Sequence, residues 1–270
     1  MSALDGALLD LRRMDRLAAG ETALHRIDPR AKVLTTLVFT ATVVSFDRYA
    51  VSALLPFFLF PAVLTSLGEL PPRYIITKIA VLAPLAMVSG IFNPLFDREV
   101  LFHLGSIGIT GGWVSFASIV VRVALTVGAA TILVAVTGFP AICQALERLG
   151  APRIFATQLL FLYRYIFVLA EEGGRVSRGR SLRSFGKRGV GMGSYGSLVG
   201  NLLLRTWRRA ERIHMAMLAR GFTGEFHTLR EFRFGSRDLL FLGGWSLLFI
   251  VLRLWNLPQL LGTLVTGMFP

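Results

Sequence analysis

Residues 113–137 read WVSFASIVVRVALTVGAATILVAVT and contain a single charged side chain, Arg122. A helix needs about 20 apolar residues to cross a bilayer core, where lipid offers no partner for backbone polar groups. We therefore predict that this stretch spans a membrane. The whole chain has the same character, because 54% of its 270 residues are hydrophobic and only 17% are charged.

Four more segments are predicted to span the membrane, at residues 31–46, 50–67, 74–92 and 239–255. The first follows the pair Asp28-Pro29, which suits a helix start because Asp accepts at the cap and Pro fits the first turn. Residues 93–112 are rich in Gly and turn-forming residues, so we expect an external loop or a short hairpin there.

Basic residues set the predicted orientation. Residues 1–32 carry six Lys or Arg, which places the amino terminus in the cytoplasm, and four spans return the chain there near Gly138. Residues 171–237 carry fourteen Lys or Arg and five acids. If the apolar run 154–170 crossed the bilayer, this segment would lie outside. We predict that the run lies along the cytoplasmic interface or tilts partly into the membrane without crossing it, and that residues 256–270, without Lys or Arg, lie outside.

The predicted fold class is an all-α polytopic membrane protein with about five transmembrane helices. It also has a cytoplasmic domain of two long amphipathic helices and one short helix. The predicted parts are a cytoplasmic amphipathic segment (1–30), the first four spans (31–137), the cytoplasmic helical domain (138–237), and the last span with its tail (238–270).

The basic segment is predicted to form two helices, 154–184 and 197–220, joined by the Gly-rich connector FGKRGVGMGSYGS. In the second helix, apolar and basic residues fall on opposite faces. The apolar face is Val199, Leu202, Leu203, Ala210, Ile213 and Met217, and the basic face is Arg205, Arg208, Arg209 and Arg212. One interpretation of these arginines is contact with anionic lipid headgroups.

Arg180 and Arg220 each end a predicted helical run between small residues. One interpretation of Arg220 is structural, as a cation at a helix carboxyl end that Gly221 caps. The other is functional for both residues, because a guanidinium offered with little shielding can bind carboxylates of an acidic groove on a partner in a bidentate way. The sequence leaves both interpretations open.

Three stretches resemble the transmembrane T component of energy-coupling factor (ECF) transporters, in the CbiQ-like branch associated with cobalt or nickel uptake. They are LHRIDPRAK (24–32), LLFLYRYIFVLAEE (159–172) and RAERIHMAMLARGFTGEFH (209–227). In that family, motifs of the form Ala-Arg-Ser or Ala-Arg-Gly end the coupling helices and dock into two ATPase subunits. Ala219-Arg220-Gly221 matches this form fully, whereas Gly179-Arg180-Ser181 has Gly in place of Ala.

The resemblance implies a non-catalytic subunit of an ATP-driven importer in the bacterial cytoplasmic (inner) membrane. The implied partners are two cytosolic ABC ATPase subunits (CbiO-like) and a membrane substrate-binding subunit (CbiM-like), with or without a small CbiN-like subunit. The lipid bilayer surrounds the assembly. The short helix Pro140–Leu149 would be the first of three coupling helices.

Residues for catalysis, a cofactor or a metal are not evident in the sequence. It has no Walker A pattern, GxGxxG motif after a strand or nucleophile elbow, so ATP is expected to be hydrolysed by partners. The four histidines lack ligand spacing, and nucleic acid is not expected because aromatic residues do not alternate with the arginines. The alternatives kept open are an autonomous secondary transporter or channel and an integral-membrane enzyme.

Arg122 is costly inside a span unless it is paired, and none of the sixteen acids lies in a predicted span. We expect it to bond to backbone carbonyls or to face a partner chain. Lys78 and Arg253 lie near span ends and are expected to extend toward the interface. Cys143 is expected to be a small apolar filler.

Overall fold

The computed structural model describes residues 3–96, 100–104, 107–183, 192–222, 224 and 234–255. These residues are helical apart from turns and one hairpin. The helices are α1 (Ala3–Ala18), α2 (Pro29–Val44), α3 (Val51–Leu54), α4 (Leu59–Leu67), α5 (Pro72–Gly90), α6 (Asn93–Phe96), α7 (Gly111–Thr137), α8 (Phe139–Arg148), α9 (Arg153–Arg183), α10 (Met192–Ala219) and α11 (Ser236–Leu254). A 3₁₀ turn, Leu55–Phe58, joins α3 to α4.

Each of the five predicted spans coincides with a helix or a helical run, namely α2, α3 to α4, α5, α7 and α11. Three described stretches are long and apolar enough to cross a membrane: Pro72–Gly90, Gly111–Thr137 and Arg153–Gly179. The run Val51–Leu67 is apolar but shorter. The protein is therefore an all-α polytopic membrane protein. That residues 154–170 stay on the cytoplasmic side remains a prediction.

The segment between α5 and α7 forms the expected short hairpin. Strands β1 (Val100–Leu104) and β2 (Ile107–Thr110) pair antiparallel, with Leu104 opposite Ile107. The register shifts between Val100 and Phe102, as at a bulge, where an extra residue on one strand bends the ladder.

Contacts within the chain define two compact units. The first contains Met1–Arg13 and Cys143–Glu231, and the second contains Met14–Ile142 and Phe232–Pro270. Which of the four predicted parts lie in the membrane and which in the cytoplasm stays a prediction.

An aromatic cluster forms the core of the second unit, around the long helix α7. Phe39 of α2 lies 4.6 Å from the ring of Phe60 and 5.3 Å from that of Phe249, measured between centroids. The cluster draws on α2, the 3₁₀ turn, α4 and α11, and the side of α7 that faces it is buried. Such edge-on and tilted ring pairs add about 0.5–1.5 kcal/mol each to area burial.

Two prolines account for the interruption between α3 and α4. Pro56 lies in the 3₁₀ turn and Pro61 at the third residue of α4, and neither has an N–H to donate. Pro61 leaves the carbonyl of Phe57 without its i+4 donor. The N–H of Leu59 instead donates to the carbonyls of Pro56 and Phe57, so the backbone stays helical through the 3₁₀ turn.

The amino end of α2 is held to the start of α11 by a buried carboxylate. The Oδ1 atom of Asp238 accepts from the N–H of Asp28 at 2.7 Å, and its Oδ2 accepts from the N–H of Gly235 at 2.8 Å. Asp28 in turn caps α2, because its Oδ1 accepts from the N–H of Arg30 at 2.8 Å. This confirms the predicted cap. Asp28 and Asp238 are only 2% and 6% exposed.

Two arginines bind the carboxyl end of α2. Arg122 of α7 donates to the carbonyl of Phe46 at 2.8 Å and to that of Asp47. Arg253 of α11 donates to the carbonyl of Ser45 at 2.9 Å and lies 4.2 Å from the ring centroid of Phe46. Of the two roles expected for Arg122, bonding to backbone carbonyls is confirmed.

We predict that Asp238→Ala lowers the free energy of unfolding by about 3 kcal/mol, because it leaves two N–H donors without a partner. Asp238→Asn keeps one acceptor and should lose about half as much. Thermal unfolding in detergent measures both, with the exposed acid Glu21→Ala as the control. If Asp238→Ala unfolds at the same temperature as the wild type, the stabilising role of this carboxylate is contradicted.

Candidate coupling site

The first unit is built on two long helices, α9 and α10, which run antiparallel. Near one end of the pair the ring of Phe161 lies 6.5 Å from that of Phe222, just beyond α10. Farther along, a carboxylate oxygen of Glu172 lies 3.8 Å from a guanidinium nitrogen of Arg205. The order of these contacts is reversed between the two chain segments, so the helices point in opposite directions.

Gly173 of α9 lies opposite Leu202 of α10. A Cβ atom placed on Gly173 would lie 4.0 Å from a methyl group of Leu202, which is ordinary van der Waals contact. Alanine would therefore fit at this position, and the approach of the two helices does not require glycine there.

The ends of α9 and α10 agree with those predicted from the sequence, except for the start of α10. Helix α9 (Arg153–Arg183) matches the predicted 154–184, and α10 ends at Ala219. However, α10 begins at Met192 rather than at Ser197, so part of the expected Gly-rich connector is helical. Glycine disfavours a helix by only about 1 kcal/mol, which the surrounding structure can override. Residues 185–191 of the connector, and Ser184 before them, lie outside the described residues.

The apolar face of α10 is buried less than the pattern predicts. Of the six residues assigned to it, three are half-buried: Leu202, Ile213 and Met217. The other three are exposed: Val199, Leu203 and Ala210. A helix that packs against one neighbour buries only a narrow stripe, so the wider periodic face extends beyond the contact.

The carboxyl end of α10 closes in a Schellman motif. The N–H of Phe222 donates to the carbonyl of Met217 and that of Gly221 to the carbonyl of Leu218, both at 3.0 Å. Gly221 has φ of +80°, the left-handed conformation that glycine adopts without strain. Arg220 is thus fixed at the turn with an exposed side chain.

The chain that leaves α10 is fastened to the start of α9. Besides the ring contact between Phe222 and Phe161, the hydroxyl of Thr157 donates to the carbonyl of Gly224 at 3.3 Å. Sequence reasoning missed Phe222 and Thr157. The available signal for Phe222 was its position directly after a capping glycine, where an apolar residue often packs.

The two arginine motifs lie at opposite ends of the helix pair. Gly179, Arg180 and Ser181 fall in the last turns of α9, and the side chains of Arg180 and Ser181 are outside the described set. Arg180 follows Phe161 by nineteen residues, which is about 28 Å along a helix. Because Phe161 is level with the end of α10, the two motifs are separated by roughly that distance.

Histidine contacts do not form a metal site in the described ranges. No group of three or more His, Cys, Asp or Glu there could hold a metal ion. His25 is buried, and its ring nitrogens bond to the Thr22 hydroxyl at 2.7 Å and the Leu17 carbonyl at 2.9 Å. The others are His214, which is exposed, and His103 and His227, whose side chains lie outside the described residues.

Helix α8 occupies the position of the predicted short helix Pro140–Leu149. Cys143 is only 1% exposed there, and burial raises the pKa of its thiol to about 11. The thiol therefore stays neutral at physiological pH, and its role as a small apolar filler is confirmed.

Comparisons with known proteins agree with this architecture. A family model described as the cobalt transport protein CbiQ matches residues 20–229. The chain is similar to the energy-coupling factor transporter transmembrane protein EcfT of Exiguobacterium sibiricum, with 30% identity over 254 residues, 87% of this chain and 96% of that protein. It is 28% identical to EcfT of Listeria innocua over 247 residues, 84% of this chain and 92% of that protein.

We predict opposite effects for two alanine substitutions in the motifs. Gly221→Ala should cost about 1 kcal/mol because it forces a left-handed conformation on a residue with a Cβ. Gly179→Ala should gain up to about 1 kcal/mol, because this glycine is helical and no atom lies within 4 Å of the added methyl group. Amide exchange at residues 221 and 222 should accelerate only in Gly221→Ala, and equal exchange in both variants would contradict the Schellman closure.

Proposed function

This chain belongs to the CbiQ family of cobalt transport proteins, and on that basis we propose that it is the transmembrane coupling subunit of an ECF-type importer. Its relatives named as ECF transmembrane proteins align over most of their length, which favours this function over an autonomous transporter or channel. In the proposed assembly two cytosolic ATPases hydrolyse ATP, and a separate membrane subunit binds the substrate.

The observation that carries this proposal is the exposed arginine at the end of α10. The Schellman motif satisfies the carbonyls of Met217 and Leu218 with backbone donors, so the Arg220 side chain is not needed to cap them. Its guanidinium can therefore engage acceptors outside the chain, and its planar fork suits a pair of carboxylates. We assign Arg220 to an acidic groove on one ATPase.

The separation of the motifs supports two docking sites rather than one. Arg180 and Arg220 lie about 28 Å apart along the α9–α10 pair, too far to enter a single groove. We therefore assign Arg180 to the second ATPase. Gly179 lowers the helix propensity next to Arg180, so this end of α9 is expected to be the looser of the two attachments.

Relative movement of the two ATPases would act on the two ends of the helix pair. One motif ends α9 and the other ends α10. A change in the distance between the two ATPases would therefore slide these antiparallel helices along each other or move them apart. The spans then transmit that movement to the substrate-binding subunit. Cobalt, with nickel as the alternative, is the proposed substrate because of the family, and its selection is assigned to that partner subunit.

Charge reversal tests the docking role. In Arg220→Glu we expect recovery of the ATPases that co-purify with the chain to fall about tenfold or more, because a carboxylate replaces the cation at an acidic groove. ATP-driven cobalt uptake should fall with it. Arg220→Lys keeps the positive charge but lacks the planar guanidinium. Its ATPase recovery and cobalt uptake should therefore lie between those of the wild type and of Arg220→Glu.

The matched control is Arg26→Glu, the same charge change at an exposed arginine outside both motifs. It should leave recovery and uptake unchanged. Thermal unfolding of each variant separates loss of docking from loss of folding. Wild-type recovery and uptake for a folded Arg220→Glu variant would remove the docking assignment.

Cysteine labelling tests the proposed topology. In a Cys143→Ala background, Leu182→Cys places a thiol near the end of α9, where the native side chain is 80% exposed, and Trp113→Cys places one at the start of α7. A membrane-impermeant maleimide added to intact cells should label only Trp113→Cys, and inverted vesicles should reverse this. Labelling of Leu182→Cys from outside would mean that residues 154–170 cross the membrane.

A further inference from the structure

The α9–α10 pair carries a cationic cleft that does not include either arginine motif. Four arginines of α10 line it, Arg205, Arg208, Arg209 and Arg212, opposite Glu172 of α9. The cleft has a volume of about 330 Å³. Residues three and four apart share a face of a helix, so these four side chains project from one side of α10.

Positive charge is in excess within the cleft. Among the residues that the structure describes, Glu172 is the one acidic residue that lines it. This carboxylate is shared, because Arg175 of α9 donates to it from Nε at 3.1 Å and Arg205 lies 3.8 Å away. Like charges three and four residues apart on a helix repel each other. An anion with several acceptor oxygens would relieve this repulsion.

An apolar groove adjoins the cleft. The two share Val168, Thr206 and Arg209, and the groove has a volume of about 340 Å³. Its apolar lining is Phe161, Leu162, Tyr165, Leu169, Leu203 and Trp207. Trp207 is 72% exposed and Leu203 66%, so the helix pair leaves a large apolar surface uncovered beside its cations.

We propose that the cleft and the groove together bind one anionic phospholipid of the bilayer. The phosphodiester lies among Arg205, Arg208, Arg209 and Arg212, where guanidinium groups donate charge-assisted hydrogen bonds to its oxygens. An acyl chain lies in the groove against Trp207. This site is distinct from the ATPase docking motifs and does not depend on the proposed coupling function.

The combined chemistry of the two surfaces selects this occupant. A free phosphate or a nucleotide would neutralise the arginines but leave the apolar groove exposed to water. An uncharged apolar segment would cover the groove and leave the arginines unneutralised. A phospholipid carries both groups in one molecule, and anionic headgroups are attracted to basic residues at the cytoplasmic surface.

Trp207 provides the measurement. The full-length chain is reconstituted into nanodiscs of phosphatidylcholine that contain either phosphatidylglycerol or phosphatidylcholine with brominated acyl chains, since bromine quenches indole fluorescence on contact. The signal of Trp207 is the quenching that Trp207→Phe removes. We expect brominated phosphatidylglycerol to reach half of this quenching at about one-tenth of the mole fraction that brominated phosphatidylcholine needs.

Charge reversal of the cleft should abolish this preference. The variant Arg208→Glu/Arg212→Glu is expected to show equal quenching by the two lipids, whereas the control Arg16→Glu/Arg26→Glu, with the same change at exposed arginines elsewhere, should keep the tenfold difference. Should the charge-reversed variant fail to fold, Arg208→Gln/Arg212→Gln replaces it and should reduce the preference severalfold.

Four results would overturn the proposal. Equal quenching of the wild type by both lipids would make the groove a general apolar surface, and a preference that survives loss of Arg208 and Arg212 would place the headgroup elsewhere. Displacement of brominated phosphatidylglycerol by equimolar glycerophosphoglycerol, the headgroup without acyl chains, would identify a site for soluble anions. Quenching that appears only after a co-purifying protein is removed would assign the surface to a protein partner.

Discussion

In a hydrocarbon environment the ends of a helix are its most costly part, because its first four N–H groups and last four carbonyls have no partner within the helix. Helix α2 shows how this constraint is met by distant parts of the sequence. Asp238 binds at its amino end, and Arg122 and Arg253 bind the carbonyls that follow its carboxyl end. The charged residues that interrupt or border the apolar segments thus serve to terminate α2 and to fix α7 and α11 against it.

The same constraint is met locally at the end of α10, with a different consequence. Backbone donors of Gly221 and Phe222 satisfy the last carbonyls, so no charged side chain from another element is needed there. Arg122 is held against the backbone of its own chain, whereas Arg220 remains exposed at a fixed turn. The two arginines have the same chemistry, and the way the nearby helix ends decides whether the guanidinium is bound to the backbone or left exposed.

The sequence predicted those features that depend on local pattern. Hydropathy located the helices of the five predicted spans, and Asp28-Pro29 located the start of α2. The link between Asp238 and Asp28 could not be predicted, because it joins residues 210 positions apart and depends on how α2 and α11 pack. The predicted start of α10 was wrong because a glycine disfavours a helix by only about 1 kcal/mol, so the glycines of the connector did not have to end it. Its buried stripe was predicted too wide, since periodicity gives the direction of a face but not the number of neighbours that cover it.

Of the candidate site, the sequence predicted the arginine motif but not its surroundings. Ala219-Arg220-Gly221 indicated both a helix end and a docking residue, and the structure shows the helix end in detail, while docking by Arg220 and Arg180 stays a proposal. What the motif did not indicate is that the turn after Arg220 is fastened to α9 through Phe222 and Thr157. Because of this attachment, a force applied at Arg220 reaches both α10 and the amino end of α9, where the apolar run begins. Arg180 lies at the other end of α9, so in the proposed mechanism both ATPases act on this one helix from opposite ends.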